Sequence, residues 1–159
     1  MADSNSFVPH PETDELLQSG FRYALSLTHH KANAEDLVQE ACLKLFRRYG
    51  KLESRPLLFV AIRRLFIDRI RKPDRFVPEN EASSSDLLAP IPVEQGAIGD
   101  LHSLLGQLRP TEREALYLHH VEGYTAQEIS DLTATPRNTV LSLLSRSLKK
   151  LQAAKLNAP

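Results

Sequence analysis

A chain of 159 residues with 42% apolar and 25% charged residues has room for one ordinary domain or two small helical ones. No apolar run approaches the roughly 18–20 residues of a membrane span, and the acidic, polar opening MADSNSFVPHPETDE does not read as a signal peptide. The single cysteine, Cys42, excludes an internal disulfide and suits a reducing cytoplasm. The formal net charge is zero, but it is unevenly spread. Residues 1–20 carry 4 acids and no Lys or Arg, residues 21–72 carry 12 basic against 5 acidic side chains, and residues 73–100 carry 6 acidic against 1 basic. Residues 101–159 are weakly basic, with 7 against 5. A basic block, an acidic middle and a second basic block leave nucleic acid open as a partner.

This pattern predicts an all-α chain of two small helical domains, an N-terminal helical bundle and a C-terminal helix-turn-helix domain, joined by a flexible linker. Residues 1–20 are expected to be a flexible acidic segment, 21–72 the first domain, 73–100 the linker and 101–159 the second domain. The linker carries Pro73, Pro78, Pro90 and Pro92, a run of three serines and little periodicity, the marks of a connecting segment.

FRYALSLTHH (21–30) predicts a first helix. NAEDLVQEACLKLFRRYG predicts a second, with Asn33 as N-cap, Glu35 and Asp36 in the dipole-favoured first turn, and Gly50 as the stop. Leu37, Val38, Ala41, Cys42, Leu45, Phe46 and Tyr49 recur at three-and-four spacing and predict a buried stripe. Asp36, Gln39, Glu40 and Leu43 share another face. It is either a plain solvated face or, because Leu43 is apolar beside acids, a docking surface. SRPLLFVAIRRLFIDRIRKP predicts a third helix, capped by Ser54 and ended by Pro73. It is apolar nearly all round, so it should be central to the bundle with one basic edge exposed.

In the second block, Thr111 with Glu114 and Thr125 with Glu128 both read as capping boxes, and Gly123 as a stop. Thr135-Pro136 is expected to cap and start the last helix. A tight turn followed by a longer helix is the helix-turn-helix pattern. On that last helix, Val140, Leu144, Leu148 and Leu151 are expected to face the core, with Leu141 buried at the edge and Leu143 at least partly exposed at a flank. Asn138, Thr139, Ser142, Ser145, Arg146 and Lys149 fall on the opposite, outer side.

Other chemistry finds little support. The pairs His29-His30 and His119-His120 point about 100° apart on a helix and are poorly placed to share an ion, so no metal site or cofactor is expected. Cys42 reads as core, and Asp36 with Glu40 lacks the nucleophile or Gly-rich loop of an enzyme.

NAEDLVQEACLKLFRRYG followed by LLFVAIRRLFIDRIRK resembles the first conserved domain of extracytoplasmic-function (ECF) sigma factors of bacterial RNA polymerase. LRPTEREALYLHHVEGYTAQEISDLTATPRNTVLSLLSRSLKKL resembles their second. The resemblance covers roughly residues 21–72 and 101–151, and it implies promoter recognition and transcription initiation by a cytoplasmic protein that is not an enzyme. It implies docking on core RNA polymerase through Asp36, Gln39, Glu40 and Leu43. It implies contact with the −10 promoter element through Arg48, Tyr49, Lys51, Arg63, Arg64, Asp68 and Arg71, and with the −35 element through Arg137, Asn138, Thr139, Ser142, Arg146 and Lys149. The chain departs from the family pattern where a usual Trp is Leu57, a usual Asn is Arg64, a usual turn Gly is Ala134, and usual basic residues are Leu141 and Leu143. Leu143 is then available to a thymine methyl or to a protein partner such as an anti-sigma factor. Two other readings fit the same residues: a helix-turn-helix regulator not bound to polymerase, and a sigma-like decoy for an anti-sigma factor.

Overall fold

A computed structural model describes residues 11–52, 54–72 and 103–157; the linker expected at 73–100 lies outside them. The described residues form helices and turns, with no strand among them. Three helices make the first half: α1 (Pro11–Thr28), α2 (Lys31–Tyr49) and α3 (Arg55–Arg71). In the second half a short helical segment over 103–106 precedes α4 (Pro110–His120), α5 (Ala126–Thr133) and α6 (Arg137–Asn157).

Helix α1 begins ten residues before the expected start at Phe21. Glu12 and Asp14 sit in its first turn, where carboxylates oppose the helix dipole, and Leu16 is buried with Tyr23, Ala24 and Leu27. Part of the segment expected to be flexible is therefore helix with a core-facing side chain. A methyl group at Gly20 would stand 2.8 Å from Leu58 Cδ2, so glycine here lets α1 lie close over α3.

Helix α2 is capped by His30, whose Nδ1 accepts the Asn33 amide at 3.1 Å. Asn33 is thus inside the first turn rather than the expected cap. Gly50 ends the helix as expected, at φ +72 with its amide donating to the Phe46 carbonyl. Ala34, Leu37, Val38, Ala41 and Leu45 are buried, while Cys42 is only half-buried and Phe46 and Tyr49 are exposed. The expected stripe ran too far. Spacing marks which residues share a face, but the last turns of α2 project past the helices that cover its middle. Ser54 caps α3 by accepting the Leu57 amide, and Leu58, Phe59, Ile62, Leu65 and Phe66 are buried. The helix packs on both α1 and α2 and also touches α5, the central position its apolarity predicts.

In the second half, α4 opens at Pro110 with no side-chain cap. Glu114 does not form the expected box with Thr111; it is buried and turned towards the first half. The Thr125–Glu128 box is present with both hydrogen bonds. Gly123 follows α4 at φ +76, and the Tyr124 amide closes the turn onto the Leu118 carbonyl. Helix α5 ends at Ala134, left-handed at φ 54, a conformation that an L side chain adopts at a cost of roughly 1–2 kcal/mol. Helix α6 opens at Arg137, one residue later than expected, its first bond running from the Val140 amide to the Pro136 carbonyl. The Thr135 hydroxyl is not a cap; it points back to the Thr133 carbonyl.

The buried face of α6 is Val140, Leu144 and Ser147, with Leu143 and Leu151 half-buried. Leu141 and Leu148 are exposed, at 41% and 40%. The expected phase was rotated. Ser147 is fully buried, its hydroxyl spent on the Leu144 carbonyl at 2.9 Å, and it takes the place on the core face that apolar spacing assigns to Leu148.

The two halves share one core. Tyr23, Leu58, Phe59 and Ile62 from the first pack in the same apolar cluster as Ala115, Leu118, Ile129, Val140 and Leu144 from the second. The rings of Tyr23 and Phe59 stack at 4.5 Å, and Phe59 reaches Tyr124 at 6.4 Å.

Candidate polymerase and promoter surfaces

The residues expected to dock on polymerase form one patch on α2. Asp36, Gln39 and Leu43 are exposed, Leu43 at 55%, and Glu40 is half-buried. The patch is braced from below by a residue that sequence reasoning did not assign. Arg69 of α3 donates to Asp36 Oδ2 at 2.9 Å and to Glu40 Oε2 at 2.6 Å. The arginine is largely buried and the carboxylates are largely solvated, so it fixes two carboxylates that still face outward. The one available signal was its place on the basic edge of an otherwise apolar helix.

The expected −10 residues divide into two groups. Arg48, Tyr49 and Lys51 are exposed together at the end of α2, with the Arg48 guanidinium 5.5 Å from the Tyr49 ring centroid. Beside them is an opening of about 140 Å³ lined by Leu45, Tyr49, Lys51, Leu52, Ser54 and Leu57. An aromatic ring, an apolar wall and cations at its rim suit an unstacked base and its phosphate. Arg64, Asp68 and Arg71, at i, i+4 and i+7, are all exposed on α3.

Arg63 is not among them. Its side chain is 20% exposed and its Nε donates to Glu114 Oε2 at 3.1 Å. The same oxygen accepts the Tyr23 hydroxyl at 2.6 Å. Burial raises the Glu114 carboxyl above its ordinary range, and Arg63 and the Tyr23 hydrogen bond pull it back only in part. Burial, and then the Glu114 charge, push the Tyr23 phenol well up.

On α6, Arg137, Asn138, Thr139, Ser142, Arg146 and Lys149 are all exposed, as the sequence predicts. The capping box on α5 and the turn through Ala134 aim this helix, and the Ser142 hydroxyl is held on the Asn138 carbonyl at 3.0 Å. Small polar side chains at the N-terminal end, with cations further along, suit base edges followed by phosphates. Among the described residues no cluster of His, Cys, Asp and Glu could hold a metal ion, and no helix is long and apolar enough to cross a membrane.

Comparison with known proteins agrees with this geometry. The family model for Sigma-70 region 2 matches residues 14–76, and that for Sigma-70, region 4 matches residues 98–151. The chain is 29% identical over 144 residues to the ECF RNA polymerase sigma factor SigM of Bacillus subtilis (strain 168), spanning 84% of this chain and 86% of that protein. It is 27% identical over 137 residues to the ECF RNA polymerase sigma factor EcfG of Rhodopseudomonas palustris (strain TIE-1), spanning 82% and 76%. Among solved structures, the sigma factor RpoE in complex with the anti-sigma factor NepR from Bartonella quintana superposes with a TM-score of 0.71 at 25% identity, over 92% of this chain and 96% of that one. With both conserved regions in order on one helical fold, the chain belongs to the sigma-70 family, as an ECF RNA polymerase sigma factor.

Proposed function

We propose that this sigma factor works in the cytoplasm, without catalysis of its own, through three separate surfaces. Asp36, Gln39, Glu40 and Leu43 dock on core RNA polymerase. Arg48, Tyr49, Lys51, Arg64, Asp68 and Arg71, joined by Arg63, engage the −10 element and help open it. Arg137, Asn138, Thr139, Ser142, Arg146 and Lys149 read the −35 element. The observation that carries this reading is the outer face of α6, where all six side chains are free of the core while the capping box and buried Ile129 hold the helix-turn-helix in shape.

An anti-sigma factor is a proposed further partner. The RpoE relative was solved with one, and this chain has an apolar groove of about 340 Å³ between α1 and α4, walled by Leu25, Leu105, Leu116 and Val121. Permanganate footprinting on a promoter occupied by polymerase and this chain tests the −10 assignment. Arg64→Ala with Arg71→Ala should reduce opening more than occupancy. Normal opening at normal occupancy would leave these arginines as solvated charges.

A further inference from the structure

One side chain on the outer face of α6 can neither hydrogen-bond nor carry charge. Leu141 is 41% exposed and stands among the groups assigned to the −35 element. At about 100° per residue it lies roughly 60° around α6 from Asn138, with Ser145 between them. Asn138, Ser142 and Ser145 are exposed with it. Leu143 is half-buried and packs against the core, so it is turned away from a groove. Leu148 is exposed on the same side as Leu141, but at 1.5 Å per residue it stands about 10 Å further along the axis. Recognition helices meet base edges at their N-terminal end, which leaves Leu141 within reach of the bases and Leu148 beyond it.

The neighbours of Leu141 take the polar roles. Ser142 donates its proton to the Asn138 carbonyl, so its oxygen is left to accept. The Asn138 amide can both donate and accept. Arg146 and Lys149 carry the charge that suits phosphates. A leucine set against a phosphate would strip water from the charge and return no hydrogen bond, which is costly. Against a base edge it is favourable only where that edge is apolar. In the major groove the C5 methyl of thymine is the apolar group that a base pair offers.

Leu141 rises about 4.5 Å from Asn138 along the helix axis, close to the roughly 3.4 Å step between base pairs. The two side chains therefore meet neighbouring base pairs. We infer that Leu141 is a specificity-determining residue that reads a thymine methyl in the −35 element, beside the base pair met by Asn138. This rests on the reading of α6 as the −35 helix.

The test uses the holoenzyme assembled from core RNA polymerase and the full chain. The probe is a promoter duplex whose −35 element is recovered by selection from a library. Each thymine of that element, on either strand, is replaced in turn by deoxyuridine, which removes the methyl and keeps the base pairing. One thymine should matter, its replacement weakening holoenzyme binding about fourfold, as expected for one buried methyl group. Leu141→Ala should weaken binding to the thymine duplex by at least that factor and should bind the thymine and deoxyuridine duplexes equally. Leu141→Met keeps a long apolar side chain and should retain the preference, and Leu148→Ala should retain it in full. The deoxyuridine scan on the wild-type chain decides the point even if a substitution disturbs folding, which thermal melts check. If Asn138→Ala alters −35 selection but no thymine methyl matters, the inference is overturned and the −35 reading stands; a protein partner is then the remaining role for Leu141. A methyl effect that survives Leu141→Ala overturns it as well. If scrambling the −35 element leaves holoenzyme binding unchanged, the −35 reading falls first and takes the inference with it.

Discussion

Leu141 and Leu148 lie within about 20° of each other around α6 and are both exposed, whereas Leu143, roughly 140–160° away, is half-buried. Leu141 is exposed, so a charge there meets water rather than core. Leu141→Lys should change stability by less than about 0.5 kcal/mol and should steepen the log–log salt dependence of DNA binding by roughly one. By contrast, Leu144→Ala empties a packed site and should cost about 2–4 kcal/mol. Thermal melts and salt-dependent DNA affinity of the full chain check both. Ala134 makes a separate test. Its left-handed backbone suits glycine, and the gain exceeds the entropy glycine brings to the unfolded chain. Ala134→Gly should therefore stabilise by roughly 0.5–1 kcal/mol, read by chemical denaturation. These residues also show what single-sequence reasoning misses. A buried serine whose hydroxyl bonds its own helix looks polar in the chain and apolar in the fold, so apolar spacing alone passes over Ser147.

At the scale of the helix, punctuation and periodicity were legible wherever the determinant is local. Gly50, Ser54 and the Thr125–Glu128 box act within four residues of where they stand, and they were read correctly. Glu114 has the spacing of a capping residue, but a partner 91 residues away takes it instead; no local rule contains that partner. The same holds for Arg69, whose bracing of α2 depends on how α3 crosses beneath it. This gives a separable prediction for the docking patch. Gln39→Lys with Leu43→Lys should weaken core polymerase binding by tenfold or more, about 1.4 kcal/mol per factor of ten, with no change in melting temperature. Arg69→Ala should weaken binding less while lowering stability by about 1 kcal/mol. Affinity and melts on the same samples separate the two. Equal loss of affinity with equal loss of stability would mean that the patch acts only through the fold.

For the whole molecule, two domains and their order could be read from charge blocks, the proline-rich middle and helix punctuation. That the halves share a core could not, because it depends on long-range pairing of Tyr23, Arg63, Glu114 and Arg55. The junction should respond to alkaline pH. Burial raises the phenols of Tyr23, Tyr117 and Tyr124, so between the ordinary phenol range near 10 and their folded values the unfolded chain releases protons that the folded chain retains. Stability should therefore hold below about pH 10 and fall above it, with phenolate absorbance rising together with the loss of helical structure. Tyr23→Phe should move this fall to higher pH.

Promoter-dependent transcription by core RNA polymerase supplied with this chain, across a library of promoter sequences, tests the assignment of the three surfaces together. Transcripts should start at a defined distance from a recovered −10 and −35 pair. They should disappear with Gln39→Lys and Leu43→Lys, and alanine at Asn138 and Arg146 should redirect or abolish −35 selection. Tight binding to core polymerase with no promoter-specific transcript anywhere in the library would contradict it.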